Sequence, residues 1–376
     1  MYFDYAATTP PDDEVLKTFD AVNRNFWANP HALHRPGMRA EQLLEQARVQ
    51  VLSLLGAENG FRCIFTSGAT ESNNMAIRGA ANRFKSRGRH LITSAVEHPS
   101  VLTVFQSLES EGFEVTLLPV LDNGTVDPEE LKAALRPDTT LISLMHVNNE
   151  VGAINDLPTL GKLIKENSNA VFHVDAAQSV GKLPVDLSKL RVDMLTFSAH
   201  KFYGLKGSGA LIFPEKMVFK PLLYGGGQEF GLRSGTADPA RAAALAKALR
   251  LSLENWDEKL AKVSRLKCRI VEALTEIPDV EINGSIDEGS PYIINCSVAG
   301  IKPETILQGL SEKGIYISTV SACSARQTIE SGVVRAVTGS PERAQHSIRI
   351  SLASITVQKE VDTLCATLST IIEMLR

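Results

Sequence analysis

Two short apolar runs each end in groups able to do chemistry. Val171 to Val174 reads as a buried strand and is followed by Asp175 and Gln178, a carboxylate and an amide. Met194 to Phe197 reads as a second strand and is followed by Ser198, His200 and Lys201, a hydroxyl, an imidazole and an amine. In an open α/β sheet, ligands sit in the crevice beyond the carboxyl ends of the strands. An acid and a lysine brought there together suit pyridoxal 5'-phosphate (PLP). Its aldehyde condenses with a lysine, and its pyridinium nitrogen needs an acidic partner. The same two residues, taken alone, also describe a surface ion pair, so the surrounding residues have to decide.

Three other places carry chemistry. Ser67-Gly68-Ala69-Thr70-Glu71 joins the strand Cys63 to Thr66 to a helix running through Ala81. A small-residue turn into a helix aims backbone amides at an anion, and the Thr70 hydroxyl adds a donor for a phosphate. An ordinary helix cap by Thr70 is the competing reading. His98 follows the strand His90 to Ser94, which puts it on the same sheet edge as Asp175 and Lys201, although a histidine there is often only a solvated loop residue. Cys323 lies in Ser318-Thr-Val-Ser-Ala-Cys-Ser-Ala-Arg326, small and polar residues that argue for an exposed thiol on a loop. Cys63 and Cys296 sit in apolar runs and read as small core hydrophobes.

These residues need a scaffold of alternating elements. Strands are expected at Val115 to Leu118 and Leu141 to Met145 as well, with helices at Met38 to Leu55, up to Glu111, at Pro128 to Leu135 and at Leu157 to Asn167. Strands separated by helices predict a mainly parallel sheet of the seven-stranded type with helices on both faces. One long helical pattern from Ala237 to about Leu274 leads away from it. It gives way to short strands at Val280 to Ile282, Tyr292 to Val298, Ile315 to Ile317 and His346 to Leu352, with a last helix from Val357 to Leu375. The expected division is a large cofactor-binding domain over 14–256 and a smaller α+β domain from 1–13 and 257–376.

The composition narrows the partners. The 376 residues carry a net charge of -4, which disfavours a nucleic-acid binder. No apolar run is long enough to span a membrane, and the first residues show no signal-peptide pattern, so a cytoplasmic protein is expected. Five scattered cysteines without a Cys-x-x-Cys pair point to neither a zinc site nor a disulfide framework.

From Asp4-Tyr-Ala-Ala-Thr-Thr-Pro10 to Ser347-Ile-Arg-Ile-Ser351 the chain resembles the PLP-dependent cysteine desulfurases of the NifS/IscS type, within the class V aminotransferases. The resemblance implies PLP-dependent transferase fold type I and conversion of L-cysteine to L-alanine, with the sulfur passing to Cys323 as a persulfide. It implies Lys201 as the cofactor lysine, Asp175 at the ring nitrogen and His98 stacked on the ring. Asn148 and Gln178 would serve the 3-oxygen, with Asn148 also near the substrate. Ala69, Thr70, Ser198 and His200 would hold the phosphate, and Arg349 the substrate carboxylate. Thr236, closing the run from Gly225 to Gly235, would reach the phosphate of a second subunit, which implies a homodimer. The Ser-Ala-Cys-Ser run with an extended loop is of the NifS/IscS rather than the SufS kind. The sulfur acceptor would be a protein of iron–sulfur assembly, tRNA thiolation or thiamine synthesis. No resident metal is implied, and Cys323 would touch a cluster only transiently.

Some positions depart from the family pattern: Asn29-Pro-His-Ala-Leu-His34, Leu205, Phe230, Arg326 and the run from Ile329. They bear on partners and loop behaviour rather than on the cofactor residues. Two other readings fit parts of the sequence. One is a class V aminotransferase or selenocysteine lyase, in which Cys323 would be dispensable. The other is a non-catalytic sulfur-relay or scaffold protein, against which the Asp175, Lys201 and His98 set argues.

Overall fold

The computed structural model describes residues 1–319 and 330–376. Seven strands form the larger sheet: β1 Phe61–Thr66, β2 His90–Ser94, β3 Glu114–Leu118, β4 Thr139–Met145, β5 Val171–Asp175, β6 Met194–Ser198 and β7 Gly209–Pro214. Their spatial order is β1-β7-β6-β5-β4-β2-β3. Strands β3, β2, β4, β5 and β6 pair in parallel, and β7 runs antiparallel to both β6 and β1. Every residue of β2, β4, β5 and β6 is buried, as expected for parallel strands with both faces covered. With only β7 reversed, the carboxyl ends of β1, β2, β4, β5 and β6 open on one edge.

The smaller sheet is antiparallel, with β8 Val280–Ile282, β9 Ile293–Val298 and β10 Ser347–Ser351 in the order β10-β9-β8. Its own core, with Val263, Ile270, Ile294, Val298, Ile350 and Leu364, draws on the helices Trp256–Thr275 and Gln358–Leu375. In β10, Ile348 and Ile350 enter that core. The alternation of a strand therefore turns Arg349 to the other face, towards the large sheet.

Two expected elements take a different form. The long helical pattern after Ala237 is two helices, Pro239–Leu253 and Trp256–Thr275. Glu254 is extended and Asn255 left-handed (φ 50), a conformation asparagine tolerates better than most residues. The stretch Ile315 to Ile317 pairs only through isolated bridges. One joins Tyr316 to Tyr2 of the N-terminal arm, and Ser318 bridges Arg349 just beyond. That arm also bridges Ser351 through Asp4 and then crosses to the large sheet, where Thr9 N–H donates to the His200 carbonyl at 2.9 Å. It thus ties the two sheets together beside the open edge. Among the described residues, no helix is long and apolar enough to cross a membrane.

Candidate active site

A cavity of about 480 Å³ lies on that edge, lined by Ala6, Thr70, His98, Asp175, Gln178, Lys201 and Arg349 among others. Strand β5 ends at Asp175, which is nearly fully buried. Both of its oxygens accept hydrogen bonds: Oδ1 from the Ala177 N–H at 2.9 Å and Oδ2 from Asn73 Nδ2 at 2.7 Å. Asn73 lies on the buried face of helix Ala69–Phe84 and is fully enclosed. Its second amide hydrogen goes to Ser100 Oγ at 2.9 Å, and its Oδ1 accepts from the Thr196 hydroxyl. Every polar atom of this asparagine is therefore engaged, which fixes the carboxylate beside it.

The chain of contacts continues to His98. Its Nδ1 accepts from the Ser100 N–H at 3.1 Å, and the Ser100 hydroxyl lies 2.8 Å away. With its lone pair on Nδ1 so used, a neutral His98 carries its proton on Nε2. Burial pushes this imidazole below its ordinary pKa; the nearby Asp175 charge opposes the shift and Lys201 adds to it.

Strand β6 ends at Ser198 and turns through a short 3-10 helix, Ala199–Lys201. Lys201 Nζ donates to the carbonyls of Ala6 (2.7 Å) and Ala7 (2.8 Å), so the N-terminal arm forms a wall of the site. His200 Nδ1 lies 3.1 Å from the Thr8 hydroxyl. Burial first, then Lys201, Lys206 and Lys182, push the His200 imidazole down to about 4. The local field is positive, a setting suited to a phosphate and a carboxylate.

At the far end of the cavity, helix Ala69–Phe84 begins at Gly68, and no side chain caps it. Thr70 is the second residue of the helix rather than its cap, and its side chain is exposed at the cavity. Ser198 Oγ accepts from the Ala69 N–H at 2.8 Å. Gly68 has φ 150, and Gly209 presses on it so closely that a Cβ there would lie 2.6 Å from Gly68 Cα. With Gly68 giving no cap and Ser198 taking only the Ala69 N–H, the remaining first-turn amides, in a cradle that side chains would fill, make an anion site. Together with a buried Asp and a lysine, these residues fit PLP.

Arg349 reaches the cavity from β10 and is almost entirely buried. Its Nη1 donates to the Asn149 carbonyl and its Nη2 to Asp4 Oδ1, each at 2.8 Å. Gln178 Nε2 donates to the Ala6 carbonyl at 2.9 Å.

Two expected site residues are placed elsewhere. The Asn148 carboxamide is turned into the protein. Its Oδ1 accepts from the N–H groups of Glu150 and Val151, and its Nδ2 donates to the Val96 carbonyl at 3.0 Å. It shapes the turn that carries Asn149 and does not line the cavity. Thr236 is exposed, beside Trp27 and Asn29 and away from its own chain's cavity. Cys323 and Arg326 lie outside the described residues. The sequence reading missed Asn73, Ser100, Asp4 and the carbonyls of Ala6 and Ala7. For Asn73 a signal existed: it is a polar residue among the buried Met75, Ala76 and Ile77 of one helix. For a backbone carbonyl there is none.

An acid, an imidazole and a lysine around an anion cradle, at the carboxyl edge of a mostly parallel sheet, define a PLP-dependent enzyme of fold type I. Residues 1–364 match the aminotransferase class-V family. The cysteine desulfurase IscS of Klebsiella pneumoniae is 41% identical over 367 residues, covering 96% of this chain and 90% of the relative. A solved NifS-like protein superposes with a TM-score of 0.92 at 36% identity, covering 100% of this chain and 99% of the other. The structure of SspA in complex with cysteine gives 0.80 at 34%, covering 95% and 99%. The chain belongs to the class-V aminotransferase family.

Proposed function

We propose that this protein is a cysteine desulfurase that converts L-cysteine to L-alanine and passes the sulfur to its own Cys323. The observation that carries this reading is the convergence of Asp175, His98 and Lys201 on one cavity, with an anion cradle at one end and Arg349 facing it. Relatives named for cysteine desulfuration, and one solved with cysteine, support the choice of substrate.

When bound, the cofactor supplies an electron sink for the α-carbon of an amino acid. Asp175, held by Asn73 and the Ala177 amide, keeps the proton on the ring nitrogen. The Thr70 and Glu71 amides and the Thr70 hydroxyl take the phosphate, with Ser198 and His200 beside them. Gln178 Nε2 has one hydrogen left after the Ala6 carbonyl and offers it to a ring oxygen. Arg349, steadied by Asp4 and the Asn149 carbonyl, takes the substrate carboxylate.

Lys201 Nζ is the group to move the proton from the α-carbon, and the Ala6 and Ala7 carbonyls receive the amine when it is free. His98 lines the cavity, and with Nδ1 engaged by Ser100 its Nε2–H is a hydrogen-bond donor; it gives up a proton only from its doubly protonated form. The Cys323 thiolate attacks the substrate sulfur. A new S–S bond forms as the Cβ–S bond breaks, the electron pair returns to carbon, and protonation leaves alanine and a persulfide on Cys323.

The working unit in this reading is a homodimer in which the exposed Thr236 reaches the phosphate held by the other subunit. The final acceptor is a thiol or thiolate nucleophile of iron–sulfur assembly, tRNA thiolation or thiamine synthesis, in a reducing cytoplasm. Division into a 14–256 unit and a unit of 1–13 with 257–376 belongs to the same proposal. The test assays sulfide and alanine from L-cysteine, alongside the visible spectrum, for wild type and Cys323→Ala. A yellow band in both, with sulfide and alanine from wild type alone, is expected. A yellow wild type that makes no alanine overturns the reading in favour of an aminotransferase or lyase.

A further inference from the structure

Just after β5 lies a lysine that the site as described does not use. Lys182 is 5% exposed, and among the described residues it forms no ion pair with a carboxylate. Its Nζ donates to Gln178 Oε1 at 2.8 Å and stands 5.9 Å from the centre of the Tyr292 ring. The Trp256 indole N–H donates to the Lys182 carbonyl at 2.9 Å, which anchors the backbone. The charged neighbours are cations: Lys201 and Arg349 act on it electrostatically, and Lys259 shares a small crevice with it. Burial, reinforced by Lys201 and Arg349, pushes its amine down to about 7. A buried amine with no acid to balance it is costly, so a compensating task is expected of it.

That task is legible in Gln178. A glutamine amide has a donor end and an acceptor end of nearly the same shape, and its neighbours decide which way it points. The Ala6 carbonyl accepts only, and it holds Nε2. A lysine amine donates in its charged form, and here it holds Oε1. Both neighbours agree, so the amide has one orientation, with its remaining Nε2 hydrogen available to the cavity that Gln178 lines.

We infer that Lys182 is a positioning residue: it locks the Gln178 amide so that an N–H, not a carbonyl, meets an oxyanion of the ligand in the cavity. The lysine also polarises that N–H through the amide. The inference rests on the proposed PLP site, where the oxyanion is the ring oxygen of the cofactor. Without the lysine, only the Ala6 carbonyl opposes the turn that would bring the Gln178 oxygen to the same place.

The test reads the bound cofactor before any substrate is added. The visible band of the holoenzyme is titrated with pH for wild type, Lys182→Met, Lys182→Arg, Gln178→Leu and the Lys182→Met/Gln178→Leu pair. Removing a donor from the oxyanion makes the chromophore harder to deprotonate. Lys182→Met is therefore expected to raise its apparent pKa by about one unit, and Lys182→Arg, which still donates, to stay near wild type. In the Gln178→Leu background, Lys182→Met should add nothing. A purely structural lysine would move the band equally in both backgrounds, or in neither, and either result overturns the inference. Should Lys182→Met not fold, Lys182→Leu, which likewise has no donor, carries the same comparison. A wild type with no visible band overturns the PLP reading itself, whereas a wild-type band that Lys182→Met leaves unmoved overturns only the role of Lys182.

Discussion

Replacing Asp175 by asparagine tests the centre of the site, because the structure sets a cost that size alone would not. Both Asp175 oxygens are acceptors, one for the Ala177 N–H and one for Asn73 Nδ2. Asparagine has one oxygen to offer. With Asn73 oriented by its bonds to the Thr196 hydroxyl and Ser100, an NH2 faces a donor whichever way the new side chain turns. A buried donor left without an acceptor costs about 1–3 kcal/mol, so apo Asp175→Asn should be measurably less stable despite its matched shape. The lost charge-assisted bond to the ring nitrogen is of the order of 1.5–3 kcal/mol, which is roughly tenfold to a hundredfold in cofactor affinity. Thermal unfolding of the apo protein and a cofactor titration followed by absorbance separate the two effects. An Asp175→Asn protein with wild-type stability and wild-type cofactor affinity would refute both the hydrogen-bond assignment and the place of the cofactor ring.

Two other buried groups give expectations of their own. Glu97, beside His98, has a carboxyl that burial pushes up to about 8; Oε1 accepts from the Ser94 hydroxyl and the Met145 N–H. The folded state keeps this proton while the unfolded chain releases it near the ordinary carboxyl value of 4.5, so stability falls as pH rises from there to about 8 and then levels off. Melting temperatures of wild type and Glu97→Gln should diverge across that window, the variant gaining up to about 1.4 kcal/mol per pH unit; parallel curves would show an ionised Glu97. Arg48 and Glu229 form a buried pair, and Glu229 Oε2 also accepts from the Phe65 N–H. Arg48→Met alone should cost about 3–5 kcal/mol, and the Arg48→Met/Glu229→Leu pair much less, because removing one partner strands a buried charge and removing both does not. Denaturant unfolding of the two variants measures the difference, and equal losses would contradict the pairing.

The parts of the site that follow a strand were legible in the sequence, because position after a buried run fixes the sheet edge. Asp175, Ser198, Lys201 and His98 are of this kind. Arg349 was legible only through the resemblance; the structure supplies the physical reason, since Ile348 and Ile350 enter the small-sheet core and alternation turns the residue between them the other way. What the sequence concealed depends on contacts between distant segments. Nothing marks Ala6 and Ala7 as partners of Lys201, about two hundred residues on, because their carbonyls are common to every residue. Lys182 follows a glycine turn and reads as a surface residue until its burial is seen. Asn148 shows the converse: the resemblance implied a ligand group, yet the turn it closes uses both ends of its amide. Strand β7 has an apolar run, Ala210 to Phe213, too short to be told from a helix turn, and its reversed direction is set by pairing with β1 and β6.

The most direct test of the account is the mass of the peptide carrying Cys323 after one turnover with L-cysteine under anaerobic conditions, compared between wild type and Lys201→Ala. One added sulfur atom, removable by a reducing agent, is expected on Cys323 in the wild type and none in Lys201→Ala. Alanine formed by the wild type with no sulfur ever found on Cys323 would contradict it.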